Sequence, residues 1–343
     1  MIAIYSNILD ARMKKVYSAT QSDVPQEYLL VANKVSWAQY QYVLQGVTGM
    51  SMGQVIADGQ IPASDAPIQG YNKTYTQAIF TQRVRLTAQS YYYLFESKDF
   101  AKIDSSLKTT VLNLKNAVEH LKNYYSQTLL AKGNATSTSF SPIGGFSGNT
   151  TIDTSSVDAV AAWSASHPRE DGGTNWSNLS SVTCSFANIL AARTLHSLKK
   201  DGRGLPLMSS LDTIVVRRGS AADFLTTSIK KTIEAGKYPG ATPGTTSSFV
   251  DAAPTDTFEI IRLSPYGGST DSAVGTGINA TNWFMFDSNY KKDGFGLQYI
   301  ESKALEIGQL KEDFVGNLDL IATATCYCQF GFADMRYWIA SLV

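Results

Sequence analysis

Residues 104–133 read DSSLKTTVLNLKNAVEHLKNYYSQTLLAKG, and the rest of the chain is best understood outward from this stretch. Leu107, Val111, Leu114, Val118, Leu121 and Tyr125 recur at alternating steps of four and three, which puts them on one face of a helix. Asp104 is placed to cap the start and Gly133 to stop the end, so the spacing predicts one amphipathic helix over about 105–132. At 1.5 Å per residue, roughly 28 residues reach about 40 Å, longer than most globular helices. Heptad-like spacing also suits a coiled coil, but Tyr124, Tyr125 and the lack of a longer repeat favour packing across a sheet.

Upstream, Arg83-Val84-Arg85-Leu86 has the period of two that marks a strand with one solvated face. Gly46 to Tyr71 carries Gly46, Gly49, Gly53, Gly59, Pro62, Pro67 and Gly70 with no helical period, so loop and strand together predict an extended hairpin arm. The loop nevertheless keeps Val47, Met50, Met52, Val55, Ile56 and Ile61, apolar groups that a solvated loop has little reason to hold. They are expected to lie over a neighbouring copy of the chain. Residues 1–45 alternate short apolar clusters (Ile2, Ile4, Ile8, Leu9; Leu29, Leu30, Val31; Trp37, Tyr40, Tyr42) with polar breaks, and this arm is expected to lie along another subunit likewise.

Downstream, residues 134–181 are rich in Ser, Thr, Gly and Asn and read as a long connection. Ala187, Leu190, Ala191, Thr194, Leu195 and Leu198 form a second helical stripe, closed by Lys199 and Lys200 at the negative end of its dipole and by Gly202. Leu211 to Val216 is a β-branched strand, and Ser220 with Asp223 opens a third helix that stops at Gly236. Strands follow at Phe258–Leu263, Trp283–Phe286, Leu318–Thr325 and from Gln329 onward. Helices and strands interleave without a regular βαβ repeat, so the fold class is α+β.

The 343 residues suffice for about two domains. Charged residues make up 17% of the chain and sum to zero net charge, below the roughly 25% of an average soluble protein. A surface so poor in charge fits one largely covered by partners, and it excludes a strongly basic nucleic-acid reader. Cys184, Cys326 and Cys328 cannot pair completely, so a disulfide framework is excluded; the last two share a face if their segment is a strand. No stretch is apolar for long enough to cross a bilayer, and the N-terminus lacks a secretion leader, which predicts synthesis in a reducing cytoplasm.

Local chemistry is sparse. Gly275-x-Gly277-x-x-Ala280 matches a dinucleotide fingerprint in letters, but Trp283–Phe286 after it reads as a strand where a helix is required. His167-Pro168-Arg169-Glu170-Asp171 sets an imidazole beside two carboxylates, yet Pro168 forbids the helix on which His and Glu would share a face. The reading from this motif is a soluble α+β hydrolase using His167 with Asp171 or Glu170; the bland reading is a polar loop. His120 and His196 are expected at a surface or interface, Cys326 and Cys328 as buried thiols, and Asn134, Asn149, Asn175 and Asn178 as glycosylation sequons without consequence. The chain is therefore expected to be no enzyme, with no catalytic, cofactor or metal residues.

The order of these elements resembles the major capsid proteins of tailed phages with the Hong Kong 97-like fold, over nearly the whole chain. Its arm, Gly-rich loop and long helix are followed by His167-Pro168, Gly172-Gly173, Asn178-Leu179, a helix, Gly204-Leu205-Pro206-Leu207 and the strand Leu211–Val216. Asn282-Trp283-Phe284-Met285-Phe286 and Gly331-Phe332-Ala333-Asp334-Met335-Arg336 are similar to that family's late strands. The resemblance implies an N-terminal arm (1–45), an extended E-loop hairpin (46–100), a peripheral domain with the spine helix (101–204), an axial domain (205–290), return strands of the peripheral domain (291–330) and a C-terminal axial strand (331–343). It implies a structural protein of the virion that self-assembles through hexamers and pentamers into an icosahedral shell around double-stranded DNA. Scaffolding, portal and decoration proteins are the implied partners, the DNA contact is non-specific, and no membrane is involved. No long charged helical region precedes the arm, which in this family goes either with a separate scaffold or with the loss of a processed N-terminal domain, and Met1 favours the former. Some members crosslink a Lys to an Asn, and no position of this chain is assigned to that role. The same fold builds encapsulin nanocompartments, the alternative that the resemblance leaves open. In either case Met50, Met52, Val55, Ile56 and Ile61 are the expected inter-subunit contact.

Overall fold

A computed structural model describes residues 2–47, 49–50, 52–53, 55, 61, 64–67, 69–87, 100–141, 150–234, 258–266, 277–309, 311–312 and 320–343. The chain opens with α1 (Ile2–Ala19), the single turn α2 (Tyr28–Val31), β1 (Ala32–Ser36), β2 (Gln41–Val47), β3 (Gln69–Thr76), β4 (Ala78–Leu86) and α3 (Phe100–Lys132). Its middle holds β5 (Ser137–Phe140), β6 (Thr150–Asp153), β7 (Leu179–Ser180), α4 (Phe186–Ser197), β8 (Thr213–Arg217), α5 (Ala221–Glu234) and β9 (Glu259–Leu263). The last elements are β10 (Trp283–Phe286), β11 (Leu297–Ile307), β12 (Lys311–Glu312), β13 (Leu320–Phe332) and β14 (Trp338–Ser341). The fold is α+β.

The predicted long helix is α3, and it packs on a sheet. Ile103, Leu107, Val111, Leu114, Val118 and Leu129 are buried, and they share one core with Leu320, Ala322, Ala324, Cys326 and Cys328 of β13. Period two decides which strand residues meet the helix. Phe80 stands opposite Cys326, Val84 opposite Ala322 and Leu86 opposite Leu320, all on the helix side, while Arg83 and Arg85 lie on the solvated face as their alternation requires. Each fully buried apolar side chain contributes on the order of 1.5–3 kcal/mol, so this interface dominates the body. The sheet runs β1-β11-β13, with β4 and β12 also pairing to β13. β13 is one strand of 13 residues where two were expected.

Two of three expectations about helix ends are corrected. α3 begins at Phe100, so Asp104 lies inside its first turns and bonds Arg12 at 2.7 Å instead of capping. At the other end, Gly133 does stop the helix, and the Trp163 indole N–H donates to Leu130 O at 2.7 Å across it. A Cβ at position 133 would sit 2.7 Å from that indole nitrogen, so only glycine admits the lid. Lys199 does not serve the dipole of α4: its buried ammonium donates to Arg336 O and Trp338 O, each at 2.9 Å.

The N-terminal segment also departs from expectation, because it folds on its own subunit. Leu9 and Met13 are fully buried in the α3 core, with Val16 and Tyr17 packed against it, and Tyr28 and Val31 join the same cluster. Steps of four and three make Leu9, Met13 and Val16 a helical stripe, which covers the side of α3 that the sheet leaves open. Lys115 on α3 donates to Tyr17 O and Thr20 O at 2.8 and 2.6 Å, satisfying carbonyls at the end of α1. Residues 134–181 likewise hold more order than a connection, with the β5–β6 ladder and β7.

The second sheet runs β7-β14-β10-β8-β9. One face packs Ile214, Trp283, Met285 and Ile339 under α4 and α5. The other sends Val215, Phe284, Phe286 and Trp338 into the first core, so the two sheets share apolar contact. α5 starts as its sequence requires: Ser220 Oγ accepts from Asp223 N at 3.1 Å, and Asp223 accepts from Gly219 N at 2.9 Å.

Candidate functional site

His167 is fully buried and already saturated. One ring nitrogen bonds Asp158 Oδ2 at 2.7 Å, the other Asn178 Oδ1 at 3.1 Å, and the ring stacks on Trp176 with centroids 4.1 Å apart. Neither neighbouring acid reaches it. Asp171 pairs with Arg169, and Glu170 accepts from Arg336 at 3.1 Å. The backbone N–H of Gly173 and then the Arg169 guanidinium hold the Asp171 carboxyl below its usual range, so it stays a charged partner of arginine. A general base needs a free lone pair facing a substrate, and this imidazole has none to offer, so the hydrolase arrangement is overturned.

Asn178 explains the fixed geometry. Its Oδ1 accepts from Ser164 N at 2.9 Å as well as meeting His167, and its Nδ2 donates to Ala162 O at 2.7 Å. The side chain is buried, which removes Asn178 as a glycan acceptor. His120 is exposed and bonds the Tyr266 hydroxyl, as a surface histidine should. His196 differs from expectation: it is buried, bonded to Ser209 Oγ, and burial pushes its pKa down to about 3, so it is neutral. Cys326 and Cys328 are buried side by side on the helix-facing side of β13, and Cys184 is buried, its thiol pushed up to about 12 by burial. Among the described residues no group of three or more His, Cys, Asp or Glu could hold a metal. Gly275 lies outside the described residues, and Trp283–Phe286 is a buried strand, the wrong element for a dinucleotide site.

The surface that stands out is the loop of the β2–β3 hairpin. Met50, Met52, Val55 and Ile61 expose 59, 72, 103 and 92% of their area, whereas Ile56 lies outside the described residues. The root of the same hairpin is the reverse, held tightly to the body. Tyr42 and Tyr75 are buried over Ile300, and the Tyr75 hydroxyl donates to Phe332 O at 2.8 Å. The Tyr42 hydroxyl donates to Asp293 at 2.7 Å, and the buried Lys73 bonds Asp153 at 3.0 Å. Burial lowers the Lys73 pKa while Asp153 opposes the shift; burial raises Asp153, but Lys73 and the hydrogen bonds from Ser155 together outweigh it, so its carboxyl ends below the usual range. Gly46 and Gly70 let the two strands close: a Cβ at Gly46 would lie 2.6 Å from Tyr71 O. A fixed base thus carries an apolar tip into solvent, and on physical grounds that combination fits a contact with another molecule.

Other exposed apolar groups include Trp37, Tyr40 and Ile79 beside the hairpin root, Phe224 and Leu225 on α5, and Leu198 and Met208. No helix among the described residues is long and apolar enough to cross a membrane. Asp158 and Tyr75 carried no signal in sequence, because one acts within a shared loop and the other on a partner remote in the chain, and Asn178 was visible only as a sequon and as part of the family resemblance.

No known protein-family pattern matches this chain, and no curated relative does. Solved structures do. A capsid structure of the cyanophage P-SCSP1u is similar over 94% of this chain and 89% of its own, at 11% identity and a TM-score of 0.45. A structure of Gordonia phage Cozz matches over 95% and 91%, at 10% identity and a TM-score of 0.49. A virus-like particle from Pyrococcus furiosus matches over 97% of both chains, at 8% identity and a TM-score of 0.41.

Proposed function

We propose that this chain is a major capsid protein of the Hong Kong 97-like fold, a structural protein of the virion that assembles into the icosahedral head shell of a tailed phage. The observation that carries this reading is the pairing of a rigid body, α3 across the first sheet, with a hairpin whose root is anchored and whose tip is apolar and exposed. A monomer in water gains nothing from such a tip; a shell subunit gains a contact on every neighbour. The division into arm, E-loop, peripheral and axial domains belongs to the same reading. β14 pairing with β10, far from its neighbour β13 in sequence, supports the C-terminal strand as axial.

Met50, Met52, Val55, Ile56 and Ile61 form the inter-subunit contact. The chain's partners are further copies of itself in hexamers and pentamers, with scaffolding, portal and decoration proteins and the packaged DNA beside them. A wall should not hold packaged DNA tightly, and zero net charge with few charged groups suits that role. No enzymatic step is assigned. Electron microscopy and mass measurement of the purified protein test the reading: closed particles are expected, and a persistent monomer would overturn it. Particles that hold a protein cargo and no genome in their native source would favour the encapsulin alternative.

A further inference from the structure

Arg203 lies 138 residues from Asp65 in sequence, yet its guanidinium Nη2 donates both to the Asp65 carboxylate and, at 3.2 Å, to Ala66 O. Residues 64–67 are the returning leg of the hairpin loop, between the exposed tip and the start of β3. We infer that Arg203 is a positioning residue: it clamps this leg to the body of its own subunit and so sets the direction in which the apolar tip points.

Two observations support the clamp independently of the contact itself. First, the turn that presents Arg203 is built in advance. Asp201 Oδ1 accepts from Arg203 N and Leu205 N at 2.9 and 2.8 Å, and Gly204 takes φ +85, a left-handed conformation suited to glycine. Beneath it the turn is rooted by Lys199, whose buried ammonium holds two carbonyls of the C-terminal segment. On its far side the missing Cβ of Gly204 leaves room for the Arg169 guanidinium, 2.7 Å from where that Cβ would be. Second, the loop needs a hold at this point. The β2–β3 ladder ends at Val47 and Gln69, and beyond it Gly49 and Gly53 have no atom within 4 Å of where a Cβ would stand, so no packing holds the loop at those points. The Arg203 side chain is 13% exposed and that of Asp65 30%, so the guanidinium is the fixed half of an otherwise solvent-facing pair. A tip that wanders cannot meet the same surface on each neighbour, and a closed shell needs the same contact repeated.

The inference rests on reading the loop as the contact arm, and the experiment separates the two. Spin labels at Met52→Cys and Lys108→Cys, both exposed, report the distance from loop tip to α3; the native cysteines are buried. Labelled chains are diluted into unlabelled ones, so that only distances within one chain are read. The parent should give one narrow distance. Arg203→Ala should lower the clamped share relative to the released one by up to roughly fivefold, the upper end for an exposed ion pair, and broaden the distribution. The exchanged pair Asp65→Arg with Arg203→Asp should narrow it again, and particle uniformity under the microscope should fall and recover in step. Should Arg203→Ala fail to fold, Asp65→Asn removes the same charge pair from the loop side. A distribution unchanged by loss of the pair, or not restored by the exchange, overturns the clamp even if shells form. A parent with a narrow distance that never assembles overturns the shell reading and leaves the clamp standing.

Discussion

The ring of Tyr75 lies against the bare Cα of Gly331: a Cβ at position 331 would come within 2.5 Å of the ring, and no rotamer of a buried tyrosine bonded to Phe332 O escapes it cheaply. This contact seats the hairpin root on the edge of β13. Gly331→Ala should therefore cost about 1–3 kcal/mol of stability through overpacking, and chemical denaturation would measure it. Combining it with Tyr75→Ala should recover part of the loss, because the clashing ring is gone; equal loss in the double variant would place the strain elsewhere.

His167 is expected to matter for folding and for nothing chemical. His167→Phe keeps a ring to stack on Trp176 but leaves Asp158 and Asn178 short of a partner, which should cost about 1–3 kcal/mol. Denaturant midpoints read the loss. Glu170→Gln should act on the Arg336 pairing instead, and its cost should add to that of His167→Phe, since the two acids belong to different networks.

Lys199 gives the folded chain a pH signature. Burial, partly offset by Asp334, lowers its pKa to about 7 from an ordinary lysine value of 10.5. Between these values the unfolded chain holds a proton that the folded chain has released, so stability rises with pH across this window. Below about pH 7 both states are protonated and the contribution is flat and least favourable. The slope in the window is at most about 1.4 kcal/mol per pH unit. Lys199→Met should flatten it, whatever its effect on absolute stability from the two abandoned carbonyls; unfolding curves from pH 6 to 10 in parent and variant decide the matter.

The loop tip should be separable from the fold. Met50, Met52 and Val55 expose most of their area, so replacing them and Ile56 by Ser should change subunit melting little. The same variant should fail to close shells or close weaker ones, since each buried tip side chain is worth on the order of 1.5–3 kcal/mol before ordering costs. Shells that form and resist heating as the parent's do would remove the loop from the contact.

Periodicity was enough for the elements whose pattern is set by their own backbone. α3 announces itself in Leu107 to Tyr125, β4 in the alternation around Arg83 and Arg85, and α5 in Ser220 and Asp223, because a helix repeats every 3.6 residues and a strand every two wherever it sits. The exposed apolar tip was equally legible, since Met and Val among glycines are conspicuous in any context. Tertiary structure alone decided the partners. His167 turned from Glu170 and Asp171, its neighbours in sequence, to Asp158 because Arg169 and Arg336 had claimed those acids. The N-terminal segment became a helix on α3 because Leu9 and Met13 found an uncovered face there, and Asp65 met Arg203 because a loop and a turn far apart in the chain close on each other. Local pattern records what a segment can form; which side chains saturate one another depends on where the finished cores carry them, and no short window of sequence contains that distance.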